Sequence, residues 1–384
     1  MNVAVDCRYL GDGSGIGVYQ RETLPFFLLS PHRFTLLGNP QMIETFTAGI
    51  EANEKPAVLP FAAKPFSLGE NAALFSKAVS AINACDCFYS PYFAVPRGIK
   101  VPVYTTIHDI IFPDMRELCG RAGLAARMYF YRRAARLSTT IFTVSAFSRG
   151  RLEHWLPLEG KRVVVSYNAA KSCLTQTPAK IHAKKPFIIF VGNIKKHKGL
   201  KTLLSAFDRA RARGLRETLV IVGNVKNFRS RDRETIALLK KAAAPSAAGR
   251  DSPPDSGVSE SAISFSGFIS DERLKDLLAE ASLLVQPSLY EGFGYPPLEA
   301  MTAGTAALIS DIPVFREIYG GFPVTFFRAG DSDDLAEKLL LLLKDGPPAI
   351  ALTPAQKKTY TFKRTAGIIL DEIENSARLK TQER

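Results

Sequence analysis

Ser288-Leu-Tyr-Glu291-Gly-Phe-Gly-Tyr-Pro-Pro-Leu-Glu299-Ala-Met-Thr-Ala-Gly304 is the stretch on which the fold reading turns. It follows the apolar run Leu283–Gln286 and leads into a helical pattern, so it reads as a strand, a glycine-bearing loop and a helix start. Gly292 and Gly294 let the backbone approach a ligand closely, and the open N–H groups of a helix N-terminus favour a diphosphate. Two glutamates eight residues apart, one in the loop and one on the helix, can address two parts of one ligand. Taken as structure alone, the run is a plain βα turn with Glu299 on a solvated helix face, but the whole pattern is too particular for that reading.

Working outward, short runs rich in Val, Ile and Phe alternate with amphipathic stretches, as βα units feeding parallel sheets do. Val3–Cys7, Phe34–Leu37, Cys87–Tyr89, Val101–Ile107, Thr140–Val144 and Val163–Tyr167 form a first set. Phe187–Val191, Leu219–Val222, Ile263–Phe265, Leu283–Gln286, Ala306–Ile309 and Val324–Phe327 form a second. The pattern predicts an α/β protein with two doubly wound parallel sheets. Ala169–Pro186, polar and Lys-bearing, reads as the linker, giving domains at residues 1–180 and 181–365, with a terminal helix at 366–384 packing back on the first. Ala242–Ser261 reads as a surface loop of the second domain.

Composition narrows the classes. The 384 residues are 46% hydrophobic and 23% charged, a globular profile long enough for two cores. Five cysteines show no metal-ligand spacing and no even framework, which fits a reducing cytoplasm. No leader and no membrane-spanning run is read. The net charge of +13 draws the chain toward phosphate-bearing partners. No zinc spacing, RNP-like strand or helix-turn-helix pattern supports nucleic acid.

Further constellations sit at strand ends. Val191-Gly-Asn193-Ile-Lys195-Lys196-His197-Lys198-Gly199 brings cations to a helix start, where they can meet a diphosphate. Asp6-Cys7-Arg8 opens a loop crowded with glycine, including Gly11, Gly13, Gly15 and Gly17. A dinucleotide-binding enzyme would place an acid at the end of the second strand, and Phe34–Asn39 supplies none. His108-Asp109 follows an apolar strand, and Ser145 either caps the next helix or accompanies a phosphate-seeking Arg149. Asp331-Ser-Asp333-Asp334 resembles a metal motif but directly precedes a helical run and reads as its cap. Arg121–Leu137 carries five arginines; Leu124, Met128, Tyr131 and Ala135 share a side that either rests on an anionic membrane or packs inside the domain.

Glu291 to Gly304 resembles the signature of glycosyltransferase family 4, retaining enzymes of the two-lobed GT-B type, with Thr302 where a small residue is usual. The resemblance implies two Rossmann-like domains facing across a cleft. It implies that Glu299 holds the ribose hydroxyls, that Glu291 bonds the donor sugar, and that Phe293, Gly294 and Tyr295 present backbone N–H groups. Gly192 to Gly199 is similar to the family's phosphate clamp, with Lys198 in the lysine position and Asn193 in place of the usual arginine. Gly15 and Gly17 would face the donor, His108 would contact its sugar, and Gly267, Phe268 and Ile269 would meet the base. The implied activity is retaining transfer of a sugar from a nucleotide diphosphate donor, with GDP-mannose favoured, to a glycan or lipid-linked acceptor. No cofactor, catalytic metal or nucleic-acid partner is expected, and the implied setting is cytoplasmic, peripheral on the inner membrane face. The rival readings are a nucleotide-sugar epimerase of similar fold and a non-catalytic sugar-nucleotide-binding assembly protein.

Overall fold

The computed structural model describes residues 1–61, 63, 65–66, 77–175, 183–223, 262–267 and 269–382. The chain divides into two compact units, Met1–Ala169 with Tyr360–Arg384, and Ala170–Thr359. Phe268, the stretch read as a surface loop at Ala242–Ser261 and part of the stretch read as a linker lie outside the described residues.

In the first unit, β1 (Asn2–Asp6), β2 (Arg33–Gly38), β3 (Ala57–Pro60), β4 (Cys87–Ser90), β5 (Val103–Thr106), β6 (Ser138–Thr143) and β7 (Arg162–Val165) form a parallel sheet in the order β3-β2-β1-β4-β5-β6-β7. Val3 pairs with Phe34 on one side and Cys87 on the other, which fixes the register at the sheet's centre. Strand β3 was not foreseen. It is a short edge strand ending in Pro60 and half-exposed, so it carries little apolar pattern. Helix Phe362–Gln382 belongs to this unit and lies against helix Gly15–Leu28. Ala366, Ile369 and Ile373 are buried, and Glu372 accepts a hydrogen bond from the Thr140 hydroxyl at 3.2 Å.

The second unit holds β8 (Lys185–Val191), β9 (Thr218–Val222), β10 (Ile263–Gly267), β11 (Ala281–Gln286), β12 (Ala307–Ser310) and β13 (Val324–Phe327), parallel in the order β10-β9-β8-β11-β12-β13. All six residues of β11 are buried, because helices cover both faces of such a sheet. Leu203 and Phe207 of helix Leu200–Ala212, with Leu335 and Leu339 of helix Ser332–Leu343, join Ile188 and Phe190 in one core.

The chain enters this unit at Ala170, earlier than residue 180, and leaves it at Thr359, earlier than residue 365. Two described residues of the stretch read as linker are bonded into the unit: Lys171 pairs with Asp271, and the Cys173 carbonyl accepts from the Lys275 ammonium at 3.3 Å. In each sheet the strand order reverses between two neighbours, β1 and β4 in the first, β8 and β11 in the second. Open α/β sheets bind ligands beyond the carboxyl ends of the strands at such a point.

Candidate active site

The loops that follow β8 and β11 meet at the reversal point of the second sheet. After β8 the chain makes a 3-10 turn, Lys196–Lys198, and then Gly199, whose φ of +67° is left-handed. A Cβ at Gly199 would lie 1.8 Å from the Pro287 carbonyl oxygen, so only glycine allows the two loops this approach. The Leu289 amide donates to the His197 carbonyl at 2.7 Å and ties the loops together.

This zipper sets one ion pair. The Lys198 ammonium lies 2.7 Å from both carboxylate oxygens of Glu291, which is only 8% exposed. The Ser288 hydroxyl donates to Glu291 Oε1 at 2.7 Å and itself accepts from the Gln286 amide at 3.0 Å. Glu291 is therefore fixed by groups from both loops, where a side chain on a free loop would wander. His197, beside Lys198, is held neutral: burial, then the Lys198 and Lys195 charges, pull its pKa to about 3.

Helix Tyr295–Thr302 starts at Gly294, whose φ is +85° and whose carbonyl accepts from the buried Tyr319 hydroxyl. Pro296 and Pro297 occupy the first turn, where their missing N–H groups cost nothing. Glu299, on this helix, is 2% exposed, so the solvated-face alternative does not hold. Phe293 is buried, Tyr295 is half-buried and Asn193 is exposed. Gly267 takes φ +67° and its carbonyl accepts from Gly223, while Ile269 is half-exposed beside it.

In the first unit, His108 follows β5. Its Nε2 lies 2.9 Å from the Pro91 carbonyl, and the Tyr19 ring meets it edge-on at 4.7 Å. A carbonyl only accepts, so Nε2 carries the proton. Burial pulls the pKa to about 4 against the opposing Pro91 bond, so the ring is neutral at pH 7 and Nδ1 is an acceptor.

Gly15 is exposed at the start of its helix, whereas Gly17 is buried, and a Cβ there would lie 1.9 Å from the Asp12 carbonyl oxygen. The missing side chain at Gly17 is thus used by the loop's own packing. Asp6 and Arg8 form a buried pair at 2.6 Å, a brace inside the unit.

Three sequence alternatives are decided by caps and packing. Ser145 and Asp331 cap their helices, Asp331 accepting from the Asp333 and Asp334 amides at 2.9 and 3.0 Å. Arg149 is spent on an exposed pair with Glu153. In helix Arg121–Leu137, Met128, Tyr131 and Ala135 are buried in the core, so the apolar side is unavailable to a membrane. The outer stripe is Ala122, Ala125, Tyr129, Arg132 and Arg136. Among the described residues no group of three or more His, Cys, Asp or Glu side chains gathers to hold a metal ion, and no helix is long and apolar enough to cross a membrane.

Comparison with known proteins fits this geometry. The family described as "Glycosyl transferases group 1" matches residues 185–345, which contain Lys198, Glu291 and Glu299. Residues 185–345 are a group 1 glycosyltransferase domain. The chain is 25% identical over 289 residues to O-antigen chain mannosyltransferase B of Escherichia coli, covering 72% of this chain and 71% of that one. It is 37% identical over 120 residues to the serotype-specific mannosyltransferase WbdA of Escherichia coli, 30% of this chain but 14% of WbdA. Among solved structures, sucrose-phosphate synthase from Thermosynechococcus elongatus superposes with a TM-score of 0.64 at 16% identity, covering 100% of this chain and 98% of that one. The trehalose 6-phosphate synthase of Burkholderia multivorans gives 0.63 at 12% identity over 100% and 98%. These likenesses establish the GT-B fold, and the protein is a glycosyltransferase.

Sequence reasoning missed Lys171, because its partner Asp271 lies 100 residues away. No local pattern announces that pair.

The state of His108 is measurable. Its ring protons should not shift in an NMR titration between pH 8 and pH 5, and should move only near pH 4. The unfolded ring binds a proton near 6.5, so this group leaves stability independent of pH above that value and removes stability as pH falls from about 6.5 toward about 4. Titration of the folded ring near 6.5 would contradict the assignment.

Proposed function

We propose that this glycosyltransferase moves mannose from GDP-mannose, with retention of configuration, onto a glycan or lipid-linked acceptor. The observation that carries the reading is the Lys198–Glu291 pair at the reversal point of the second sheet, with the buried Glu299 eight residues on. Mannose is favoured because the relatives named above are mannosyltransferases.

An ammonium has three donors, and two of those of Lys198 meet Glu291. The third suits an oxygen of the donor diphosphate. As the bond from the anomeric carbon to phosphate oxygen breaks, negative charge grows on the leaving diphosphate and positive charge on the sugar. Lys198 and the N-terminus of helix Tyr295–Thr302, with the backbone of Phe293, Gly294 and Tyr295, stabilise the former. Glu291 orients the sugar. In the first unit the neutral His108 offers Nδ1 as an acceptor for a saccharide hydroxyl. The acceptor hydroxyl forms the new bond to the anomeric carbon on the face the diphosphate leaves, and its proton passes to that diphosphate. Glu299 takes the ribose hydroxyls, Gly267 and Ile269 line the base, and Asn193 bonds the phosphates without a charge of its own.

A thermal-shift screen of nucleoside diphosphates and their sugars fixes the donor, and GDP-mannose should give the largest shift. Glu291→Ala and Lys198→Ala should each then lower turnover on the order of 10²- to 10³-fold. Rates near wild type would defeat the assignment. An epimerase would convert the donor without any acceptor, which proton NMR of donor and enzyme alone reveals.

We also infer peripheral contact with anionic lipid, made by charge alone. The outer stripe of helix Arg121–Leu137 offers Arg132, Arg136 and a 51% exposed Tyr129, with Arg97 3.5 Å from the Tyr129 hydroxyl. Co-sedimentation with phosphatidylglycerol vesicles should be strong at low ionic strength and weak at high salt. Binding that survives high salt, or is equal on neutral vesicles, would overturn this.

A further inference from the structure

Lys171 stands in the second unit just after the chain enters it, and its surroundings are unusual for a lysine. Its side chain is 14% exposed, and its ammonium lies 2.5 Å from Asp271 Oδ1. Asp271 begins helix Asp271–Glu280, which Ser270 caps by accepting from the Arg273 amide at 3.2 Å. The short helix Ser172–Thr175, directly after Lys171, packs on both that helix and helix Tyr295–Thr302, which carries Glu299. A second bond, from the Lys275 ammonium to the Cys173 carbonyl, holds this segment down.

Burial opposes the charge on Lys171, yet the fields of Glu299 and Asp271 outweigh it and lift its pKa above the ordinary lysine value. This differs from an exposed surface pair, which contributes little. Glu299 is almost wholly buried, whereas Asp271 is half exposed. A buried carboxylate is stabilised by counter-charge and by hydrogen-bond donors, and a vicinal diol supplies two donors from a neutral group.

We propose that Lys171 is a positioning residue of the donor site: held by Asp271, it supplies the counter-charge that keeps the buried Glu299 carboxylate aligned to accept from the two ribose hydroxyls of the nucleotide. The proposal rests on the reading that Glu299 takes those hydroxyls. It assigns to a residue outside the Glu291–Glu299 stretch a share in choosing ribonucleotide over deoxyribonucleotide.

The test is calorimetric binding of GDP and UDP, each against its 2′-deoxy analogue, to the full chain. Wild type should prefer the ribonucleotide by on the order of ten- to a hundredfold, the worth of a hydrogen bond to a charged group. Lys171→Met should reduce that preference to within about threefold of unity, and Lys171→Arg should restore most of it. Lys171→Gln replaces Lys171→Met if the apolar side chain unsettles the fold. A Lys171→Met or Lys171→Gln protein that keeps the wild-type preference overturns the proposal alone. A wild-type protein with no ribose preference overturns the Glu299 reading and the proposal with it.

Discussion

The second unit is organised around the bond between Lys198 and Glu291. Two loops from neighbouring strands, β8 and β11, must come close enough for one ammonium to meet both oxygens of one carboxylate. Gly199 in a left-handed conformation under the Pro287 carbonyl permits that approach, and the Leu289 amide on the His197 carbonyl holds it. Ser288 then fixes the carboxylate from the side. Each charge is held by the other, so both are in place before any ligand arrives. Such preorganisation is what electrostatic stabilisation of a leaving diphosphate requires.

Around this pair the unit places groups of different electrical character for different tasks. Glu299 is buried on the helix that starts at Gly294, within the field of Lys171. His197 lies beside the cation and is kept uncharged by burial and by Lys198 itself, so it adds no repulsion at the loop. In the first unit His108 is neutral for the same primary reason, with one ring nitrogen committed to Pro91 and the other left as an acceptor.

Much of this was legible in the sequence because it is local. Among the described residues, apolar runs announced twelve of the thirteen strands, and β3, short, half-exposed and at an edge, escaped. The Glu291 to Gly304 run could be read because strand, loop and helix start are contiguous, as could the Asp331 cap. Non-local features stayed hidden. The polar segment at Lys171 looks like a linker until it is seen bonded to a helix 100 residues away. The Asp12 carbonyl that makes glycine necessary at position 17 is not announced by the glycine pattern of the loop. Helix Arg121–Leu137 has the pattern of a membrane-lying helix, and only its packing shows that the apolar side points inward. The tautomer of His108 depends on a carbonyl 17 residues upstream, which no spacing rule identifies.

A double-mutant cycle on nucleoside diphosphate release, with Lys198→Met, Glu291→Gln and the pair combined, tests the central claim most directly, using water as acceptor and the donor that binds best. If ammonium and carboxylate act as one unit on one activated sugar, the double variant loses little more than the worse single variant. Losses that multiply independently would mean that the two side chains serve unrelated ends, and the account of the site would fail.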